Sequence, residues 1–313
     1  MKKRHCIVFG GGGFIGSHLV EKLVEKKYPV SVVCRGSEQD YKNLSDVKNK
    51  INVIKIDISN YAYIGKIINE GDIVFDLIAS SVPFSSMQTP HQEINHHISS
   101  HFKLIQAACK KEVAKFIFFS SGGGVYGNKK KLPITEDETL QPVSPHAISK
   151  ATIEYLLHYF SRIHNIPYII YRLSNPYGPR QISKKGFAII PTIFSNVSRN
   201  QPPTLFDHGK LIRDYIYIDD LINAITISFN KKTKYPIYNI GSGKGSTLNM
   251  LWQNIKKITK AELSPIYIPK RPIDVDTVVL NTNRFKREFD WKPQIKLSSG
   301  LKKTWNAYIN QIK

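Results

Sequence analysis

The chain has 313 residues, enough to bury a large core as one big domain or two interlocked ones. Its three cysteines, Cys6, Cys34 and Cys109, form an odd number without metal-ligand spacing, which excludes a disulfide-stapled miniprotein and predicts reduced thiols and no metal site. The formal net charge is +21, but the basic residues form short scattered clusters without interleaved aromatic side chains, which favours a solvated surface over nucleic-acid binding.

The first apolar stretch, Cys6–Phe9, follows a basic N-terminus and ends at once in glycines. It is too short for the core of a signal peptide or for a membrane span. We therefore expect a cytoplasmic protein without integral membrane association.

Short runs rich in β-branched residues alternate with longer segments of helical period, which indicates a βαβ series. The runs predicted as strands are Cys6–Phe9, Val30–Val33, Val53–Ile56, Ile73–Ile78, Phe116–Phe119 and Tyr168–Leu173. Between the first two, an apolar stripe containing Ile15, Leu19 and Leu23 predicts an amphipathic helix from Gly13 to about Lys27. Fully apolar strands joined by helices predict an α/β fold, with a doubly wound parallel sheet of Rossmann type covered on both faces.

The alternation weakens after Pro176, where prolines and loops become more frequent. Only a helix near Asp219–Phe229 and a strand near Tyr238–Ile240 are predicted in this part. We expect it to form a smaller C-terminal α/β lobe that covers the substrate.

The turn after the first predicted strand carries the motif Gly10-x-x-Gly13-x-x-Gly16. Glycine permits a tight turn at the first position, close approach of a pyrophosphate at the second and close helix–strand packing at the third. The N-terminus of the following helix adds positive potential. The motif alone is weak, but its strand–turn–helix context favours a dinucleotide site over a merely flexible turn.

The end of the second predicted strand bears on the choice between NAD and NADP. An acidic residue there holds the ribose hydroxyls, whereas a basic residue accommodates a 2′-phosphate. The sequence reads Cys34-Arg35-Gly36, without a carboxylate. This pattern fits NADP with Arg35 as its ligand, and equally an Arg35 that only faces solvent. Asp57, which closes the third predicted strand, is an expected adenine contact.

Five further segments follow the glycine motif in an order and spacing that point to one enzyme family. They are Phe119–Gly127, Ser144–Lys150, Arg172–Arg180, Arg213–Asp220 and Arg271–Asp274. Over nearly its whole length the chain resembles the extended short-chain dehydrogenase/reductases of the NAD-dependent epimerase/dehydratase family, and most closely their UDP-glucose 4-epimerase group. Because this fold serves epimerases, dehydratases and reductases alike, the resemblance indicates the class of chemistry better than the substrate.

The resemblance implies a division into an NAD(P)-binding Rossmann domain and a nucleotide-sugar-binding lobe. We expect the first to comprise residues 1–176 plus about 214–241, and the second about 177–213 plus 242–313. It also implies a homodimer.

The resemblance further implies a nicotinamide cofactor, NAD or NADP, held by the glycine turn and by neighbouring strand ends. The implied contacts are Gly10, Gly13, Phe14, Ile15, Gly16, Arg35, Asp57, Ile58, Ala79 and Lys150. Asn175, Arg213 and Arg271 are implied to grip the diphosphate of a nucleotide sugar, expected to be UDP-linked. Guanidinium forks suit a diphosphate, and two arginines far apart in sequence can converge on it from separate loops. The alternative is that both are solvated surface arginines.

The chain departs from the family at its catalytic positions. In the family a hydroxyl at the end of the fifth strand and a tyrosine four residues before a lysine move the proton, while the nicotinamide carries the hydride. Lys150 is present, but His146 replaces the tyrosine, and Gly122 and Gly124 occupy the hydroxyl positions. Spacing still sets His146 and Lys150 on one face of a helix entered through Pro145. Imidazole, with a pKa of ~6.5, is largely a free base at neutral pH, although it is shorter than a phenol. His146 is therefore either a working acid/base or a residue left after catalysis was lost.

A second tyrosine–lysine pair with the same spacing is formed by Tyr126 and Lys130. Glycine, asparagine and three consecutive lysines in that stretch argue against a helix, so we expect Tyr126 to be structural. Ser121 is the remaining candidate for a hydroxyl near the substrate.

Together these features predict an enzyme that epimerises a UDP-hexose by oxidation at C4, rotation of the 4-keto sugar and re-reduction. Two alternatives stay open. The first is an NADPH-dependent nucleotide-sugar 4-ketoreductase, which suits Arg35 better. The second is a catalytically impaired protein that binds nucleotide sugar or cofactor, as the substitutions at 122, 124 and 146 would allow. A dehydratase is less favoured, because no Asp-Glu pair follows Ser121, and Glu136 and Glu138 lie in the next loop.

Overall fold

The computed structural model describes residues 3–56, 61–79, 83–183 and 188–312. The strands in these ranges are Cys6–Phe9 (β1), Val30–Cys34 (β2), Asn52–Lys55 (β3), Ile73–Asp76 (β4), Lys115–Ser121 (β5), Tyr168–Leu173 (β6), Asn175–Tyr177 (β7), Thr204–Phe206 (β8), Ile212–Tyr217 (β9), Ile237–Ile240 (β10), Gly245–Thr247 (β11), Ile266–Ile268 (β12) and Thr277–Val278 (β13).

Seven of these strands form one parallel sheet in the order β10-β6-β5-β4-β1-β2-β3. This confirms the predicted Rossmann-type α/β fold. Consecutive strands wind outwards in both directions from the pair β1 and β4, so a crevice opens at the carboxyl ends of these two strands. In doubly wound sheets this crevice is where ligands bind.

The α-helices in the described ranges are Phe14–Glu25 (α1), Glu38–Asn43 (α2), Tyr61–Ile67 (α3), Pro83–Ser86 (α4), Pro90–Gln92 (α5), Ser99–Lys110 (α6), Pro145–His164 (α7), Ile189–Ser198 (α8), Ile218–Ser228 (α9), Leu248–Thr259 (α10), Asn283–Phe289 (α11) and Leu297–Ile312 (α12). A π-helical turn, Glu93–Ile98, joins α5 to α6. No helix in these ranges is both long and apolar enough to cross a lipid bilayer.

The helices cover both faces of the sheet because each presents an apolar stripe. On one face, α1 contributes Leu19 and Leu23 to a core that continues into α9. On the other face, α6 and α7 contribute Leu104 and Ile153 to a second core. β1 is buried along its whole length, as its apolar sequence predicts.

The six strands predicted from the sequence are all present, with small shifts at their ends. The expectation of full burial is wrong for β3, because it lies at the sheet edge and exposes Asn52 and Lys55. The predicted helix from Gly13 to about Lys27 is α1.

The chain after Pro176 is more regular than predicted. Beyond the two predicted elements, now α9 and β10, it holds helices α8, α10, α11 and α12 in the described part. In α10 the side chains of Leu248, Leu251 and Trp252 are buried at helical spacing, a periodicity the sequence does contain. The remaining strands are short: β7, β11 and β13 pair with β9, and β12 pairs with β8.

Candidate active site

The glycine motif forms a sharp turn between β1 and α1. Gly10 has a φ of +75°, and a Cβ there would lie 3.0 Å from the carbonyl oxygen of Leu77. A Cβ on Gly16 would collide with the carbonyl oxygen of Gly10. Gly13 is the N-cap of α1, so the N–H groups of Phe14 and Ile15 have no intrahelical acceptor. These features fit the pyrophosphate of a dinucleotide, because close backbone approach and free N–H groups coincide.

A carboxylate lies beside this turn, although none ends β2. Asp40, in α2, lies against Gly12, where an added Cβ would clash with its side chain. Asn43 binds the same turn through a hydrogen bond from Nδ2 to the carbonyl oxygen of Gly12, at 2.9 Å. Arg35 is exposed, and the described residues include no hydrogen-bond or ion-pair partner for it. The predicted contacts Asp57 and Ile58 lie outside the described residues.

Lys150 lies at the carboxyl ends of β4 and β5. Its Nζ donates to the carbonyl oxygens of Ile78, at 3.2 Å, and Phe119, at 3.0 Å. Ala79 follows Ile78 and is exposed beside this position. Burial lowers the pKa of Lys150 to about 8, although Asp76 opposes the shift. Lys150 is thus a buried cation close to its titration range at neutral pH.

His146 lies in the first turn of α7, which Ser144 caps by accepting from the backbone N–H of Ala147 at 3.2 Å. Its own backbone N–H donates to Ser86 Oγ, at 3.2 Å. The side chain is 12% exposed, and its Nδ1 lies 3.6 Å from Oε1 of Glu93. Burial lowers the pKa of His146, and Glu93 only partly opposes this. At neutral pH the imidazole is therefore an uncharged base, one helical turn before Lys150.

A buried polar cluster lies behind this pair. Asp76 ends β4 with its Oδ2 3.2 Å from Nε2 of His101, and the His101 ring stacks on His97 at 4.2 Å. His101 Nδ1 donates to the carbonyl oxygen of His97, at 2.7 Å. Burial lowers the pKa of His97 to about 3. For Asp76, burial raises the pKa, but His101 and Lys150 outweigh it, so the net shift is downward.

Ser121 and the glycines after it lie at the end of β5. Ser121 Oγ accepts from the backbone N–H of Gly124, at 3.3 Å. A Cβ on Gly122 would lie 2.5 Å from Leu280 and 2.8 Å from the carbonyl oxygen of Leu173, so this position has no room for a side chain. Ser121 keeps the hydroxyl next to the position where the family's hydroxyl is expected.

The three predicted diphosphate ligands lie around β9. Asn175 donates from Nδ2 to the carbonyl oxygen of Asp214, at 3.2 Å. Burial lowers the pKa of Arg213, and the nearby charge of Arg271 contributes. Arg271 pairs with Asp274 at 2.6 Å. The charge of Arg271 acts on Arg213, which indicates that the two guanidinium groups lie near each other.

The short helix α4 connects the two halves of this site. Arg271 lies over the ring of Phe84, with its Cζ 6.0 Å from the ring centroid. Two residues later, Ser86 binds the backbone of His146. Arg271 and the start of α7 thus both contact α4.

Tyr126 is structural, as expected. It is fully buried, donates to Asn239 Oδ1 at 2.8 Å, and accepts from Nη1 of Arg172 at 2.8 Å. Arg172 also pairs with Glu154 at 2.6 Å. Burial raises the pKa of Tyr126 to about 12, which makes it a poor base.

The model of the NAD dependent epimerase/dehydratase family matches residues 6–241, more than half of the chain. The chain belongs to this family. The family is NAD-dependent, which confirms the predicted nicotinamide cofactor and is consistent with the glycine turn.

Individual members of the family align with almost the whole chain. It is similar to the crystal structure of UDP-glucose 4-epimerase from Thermotoga maritima with UDP-glucose, at 32% identity and a TM-score of 0.92, covering 99% of this chain and 100% of that one. The UDP-N-acetylglucosamine 4-epimerase from Methanobrevibacter ruminantium M1, in complex with UDP-N-acetylmuramic acid, is 29% identical with a TM-score of 0.92 and the same coverage. The dTDP-4-dehydro-6-deoxyglucose reductase of Escherichia coli is 28% identical over 307 residues, 96% of each protein.

An open cleft of about 540 Å³ lies at the amino ends of the parallel strands, where β4, β5 and β6 begin. Arg4, Lys115 and Lys231 are among its lining residues, and none of the predicted site residues is. This cleft therefore lies away from the carboxyl ends of the strands, where doubly wound sheets bind their ligands.

Several polar residues near His146, and the carboxylate beside the glycine turn, were not predicted from the sequence. These are Glu93, His97, His101, Asp76 and Asp40. One signal was available: His97 and His101 continue the apolar stripe of Leu104 and Ala108 at intervals of four or three residues, so they had to be buried polar groups.

Proposed function

We propose that this protein interconverts a UDP-hexose and its C4 epimer, with NAD as a cofactor that is regenerated in each cycle. The observation that carries the proposal is the pair His146 and Lys150, a neutral imidazole and a buried ammonium one helical turn apart at the carboxyl ends of β4 and β5. The two UDP-sugar 4-epimerases among the similar structures support the same reaction.

The chemistry divides between cofactor and protein. Bound NAD would supply reversible hydride transfer at C4 of the sugar. Nε2 of His146 takes the proton from the 4-hydroxyl as the hydride leaves, and gives it back after the keto sugar has turned. Lys150 would hold the nicotinamide ribose, and burial, assisted by the positive charge of Lys150, keeps His146 unprotonated before the reaction.

The substrate is anchored by its diphosphate. Arg213 and Arg271 bind the phosphate oxygens from β9 and from the loop before β13. Asn175 contributes the second N–H of its Nδ2, since the first is donated to the carbonyl oxygen of Asp214. An anchored diphosphate lets the hexose rotate without leaving the site. In this way one base serves both faces of C4.

A 4-ketoreductase is the second candidate function. Arg35 has no partner among the described residues, so it is available for the 2′-phosphate of NADPH. The reductase among the relatives also supports this function. Asp40 argues the other way, because a carboxylate beside the glycine turn repels that phosphate. A reductase consumes cofactor in proportion to product, whereas an epimerase does not.

The decisive experiment incubates the protein with UDP-glucose, UDP-galactose and their N-acetyl forms, with catalytic NAD in one series and stoichiometric NADPH in another. Sugar configuration is followed by NMR. We expect C4 epimers with catalytic NAD, loss of turnover by at least ~10²-fold in His146→Ala, and unchanged turnover in His96→Ala, whose ring is exposed. In a third series, a 4-keto nucleotide sugar is added with NADPH, and stoichiometric consumption of NADPH identifies the reductase. Binding without conversion, with activity gained in His146→Tyr, identifies the impaired binder.

We also propose that the protein is a homodimer assembled through α7. This helix exposes Ile148, Tyr155, Tyr159 and Ile163 on one face, with exposed fractions of 41%, 66%, 55% and 58%. Exposed apolar residues at that spacing are typical of a helix that packs against another copy. Tyr155→Glu is expected to halve the mass measured by sedimentation, whereas Tyr63→Glu, at an exposed tyrosine in α3, is expected to leave it unchanged.

A further inference from the structure

Glu93 is a buried carboxylate that was not among the predicted site residues. It begins the π-helical turn between α5 and α6, and its side chain is only 3% exposed. Its backbone N–H donates to the carbonyl oxygen of Thr89, at 3.2 Å, which fixes the start of this turn. Single π-helical turns inside a helical segment are frequent at functional sites.

The carboxylate faces one particular nitrogen of His146. Oε1 lies 3.6 Å from Nδ1, so a small rotation of either side chain completes a hydrogen bond. An ionised carboxylate only accepts, so that bond requires a proton on Nδ1 and leaves the lone pair on Nε2.

The other charged groups around His146 do not offer this interaction. Lys150 lies on the same helix and opposes protonation of the ring, as does His101. His97 approaches edge-on at 6.3 Å between ring centroids, and burial keeps it neutral. Asp76 is held by His101 instead. Among the described residues around the ring, Glu93 is therefore the group that favours a positive charge on His146.

We infer that Glu93 is the positioning residue for His146: it selects the Nδ1–H tautomer and stabilises the imidazolium formed during turnover. This inference rests on the proposed function. In the step concerned, the O4–H bond of the sugar breaks and an Nε2–H bond forms, while Glu93 stays ionised. The reverse transfer restores neutral His146, so protons balance over the cycle. A carboxylate behind a histidine performs this role in other acid/base enzymes.

Two substitutions separate charge from hydrogen bonding. Glu93→Gln keeps an oxygen acceptor for Nδ1–H but removes the negative charge, and Glu93→Leu removes both. We expect Glu93→Leu to lower kcat by ~10²-fold with KM changed by less than ~3-fold, and Glu93→Gln to recover part of kcat. The acid limb of the pH profile shifts to lower pH in both, because loss of the negative charge lowers the pKa of His146 further.

The second measurement does not depend on turnover. Long-range ¹H–¹⁵N correlation spectra of protein labelled with ¹⁵N-histidine report the tautomer, and His146→Tyr assigns the signal by removing it. We expect Nδ1–H in the wild type and in Glu93→Gln, and its loss in Glu93→Leu. An Nε2–H tautomer in the wild type, or the same tautomer and kcat in Glu93→Leu, overturns the inference. If the tautomer behaves as expected but no UDP-hexose is converted, the pairing stands and the proposed function falls.

Discussion

A Cβ added to Gly124 would lie 3.1 Å from the Cβ of Ala147, so the first turn of α7 packs directly against this glycine. The neighbouring glycines differ. At Gly122 a Cβ would be 2.8 Å from a backbone oxygen, whereas at Gly123 it would make ordinary contacts of 3.5 Å and 3.6 Å with Val278. Gly122 therefore has no room for a side chain, Gly124 has little room, and Gly123 is open.

Alanine substitution along this run is expected to destabilise the fold in that order. Gly122→Ala should lower the free energy of unfolding by about 3 kcal/mol and Gly124→Ala by about 1 kcal/mol, because overpacking of this kind costs ~1–3 kcal/mol. Gly123→Ala is the matched control and should change it by less than ~1 kcal/mol in either direction. Urea denaturation measures all three. Equal losses at 122 and 123 would contradict the geometry.

The pH dependence of turnover should have two limbs. On the acid side, kcat/KM falls when His146 is protonated and is no longer a base. Because burial lowers the pKa of His146, this limb lies at lower pH than the ~6.5 of a free imidazole. On the alkaline side kcat/KM falls above about pH 8, where Lys150 loses its charge. In Lys150→Met activity is lower throughout and the alkaline limb is absent. A profile that stays flat from pH 8 to 10 in the wild type argues against a role for the ammonium charge.

Most of the Rossmann sheet could be predicted because parallel strands buried on both faces need continuous apolar runs. β1 and β6 have the predicted bounds for this reason. The short strands after Pro176 could not be predicted, since two or three residues carry no periodicity. β13 exists because Thr277 pairs with Ile212, more than sixty residues earlier in the chain. The pairing with β9 stabilises β13, and the sequence of β13 itself contains no signal for a strand.

The candidate site likewise contains residues that could be predicted from the sequence and residues that could not. His146 and Lys150 were predictable because four-residue spacing fixes one helix face. The pairing of His146 with Glu93 was not, because it depends on how the π-helical turn packs against α7. Asp40 was missed because α2 folds back over the glycine turn, which brings a carboxylate from beyond the end of β2.

The variant Tyr126→Phe tests whether the second tyrosine–lysine pair has a structural or a catalytic role. Tyr126→Phe removes a hydroxyl that bonds both Asn239 and Arg172, so we expect the free energy of unfolding to fall by about 1–2 kcal/mol. Turnover should stay within ~2-fold of the wild type, because the hydroxyl bonds only buried structural partners and its raised pKa makes it a poor base. Chemical denaturation and the NMR assay measure the two effects separately. A loss of turnover without a loss of stability would assign Tyr126 to the reaction.

The buried ring of His97 makes stability depend on pH below neutrality. Its pKa is about 3 in the folded protein and ~6.5 when unfolded, so as the pH falls the unfolded chain binds the proton first. The stability is complete above pH ~6.5 and is lost progressively towards pH 3. Between pH 7 and pH 5 this single group should lower the free energy of unfolding by about 2 kcal/mol.

Replacement of the ring isolates this contribution. His97→Phe keeps an aromatic ring stacked on His101 but has no titrating nitrogen, so its loss of stability from pH 7 to pH 5 should be about 2 kcal/mol smaller than in the wild type. His96→Asn is the matched control, since His96 is exposed on the same turn and its removal should leave the difference unchanged. Urea denaturation at both pH values gives the comparison, and the difference between them is independent of any packing change caused by the larger ring. Identical pH dependence in His97→Phe and the wild type would show that His97 accepts a proton within the folded protein.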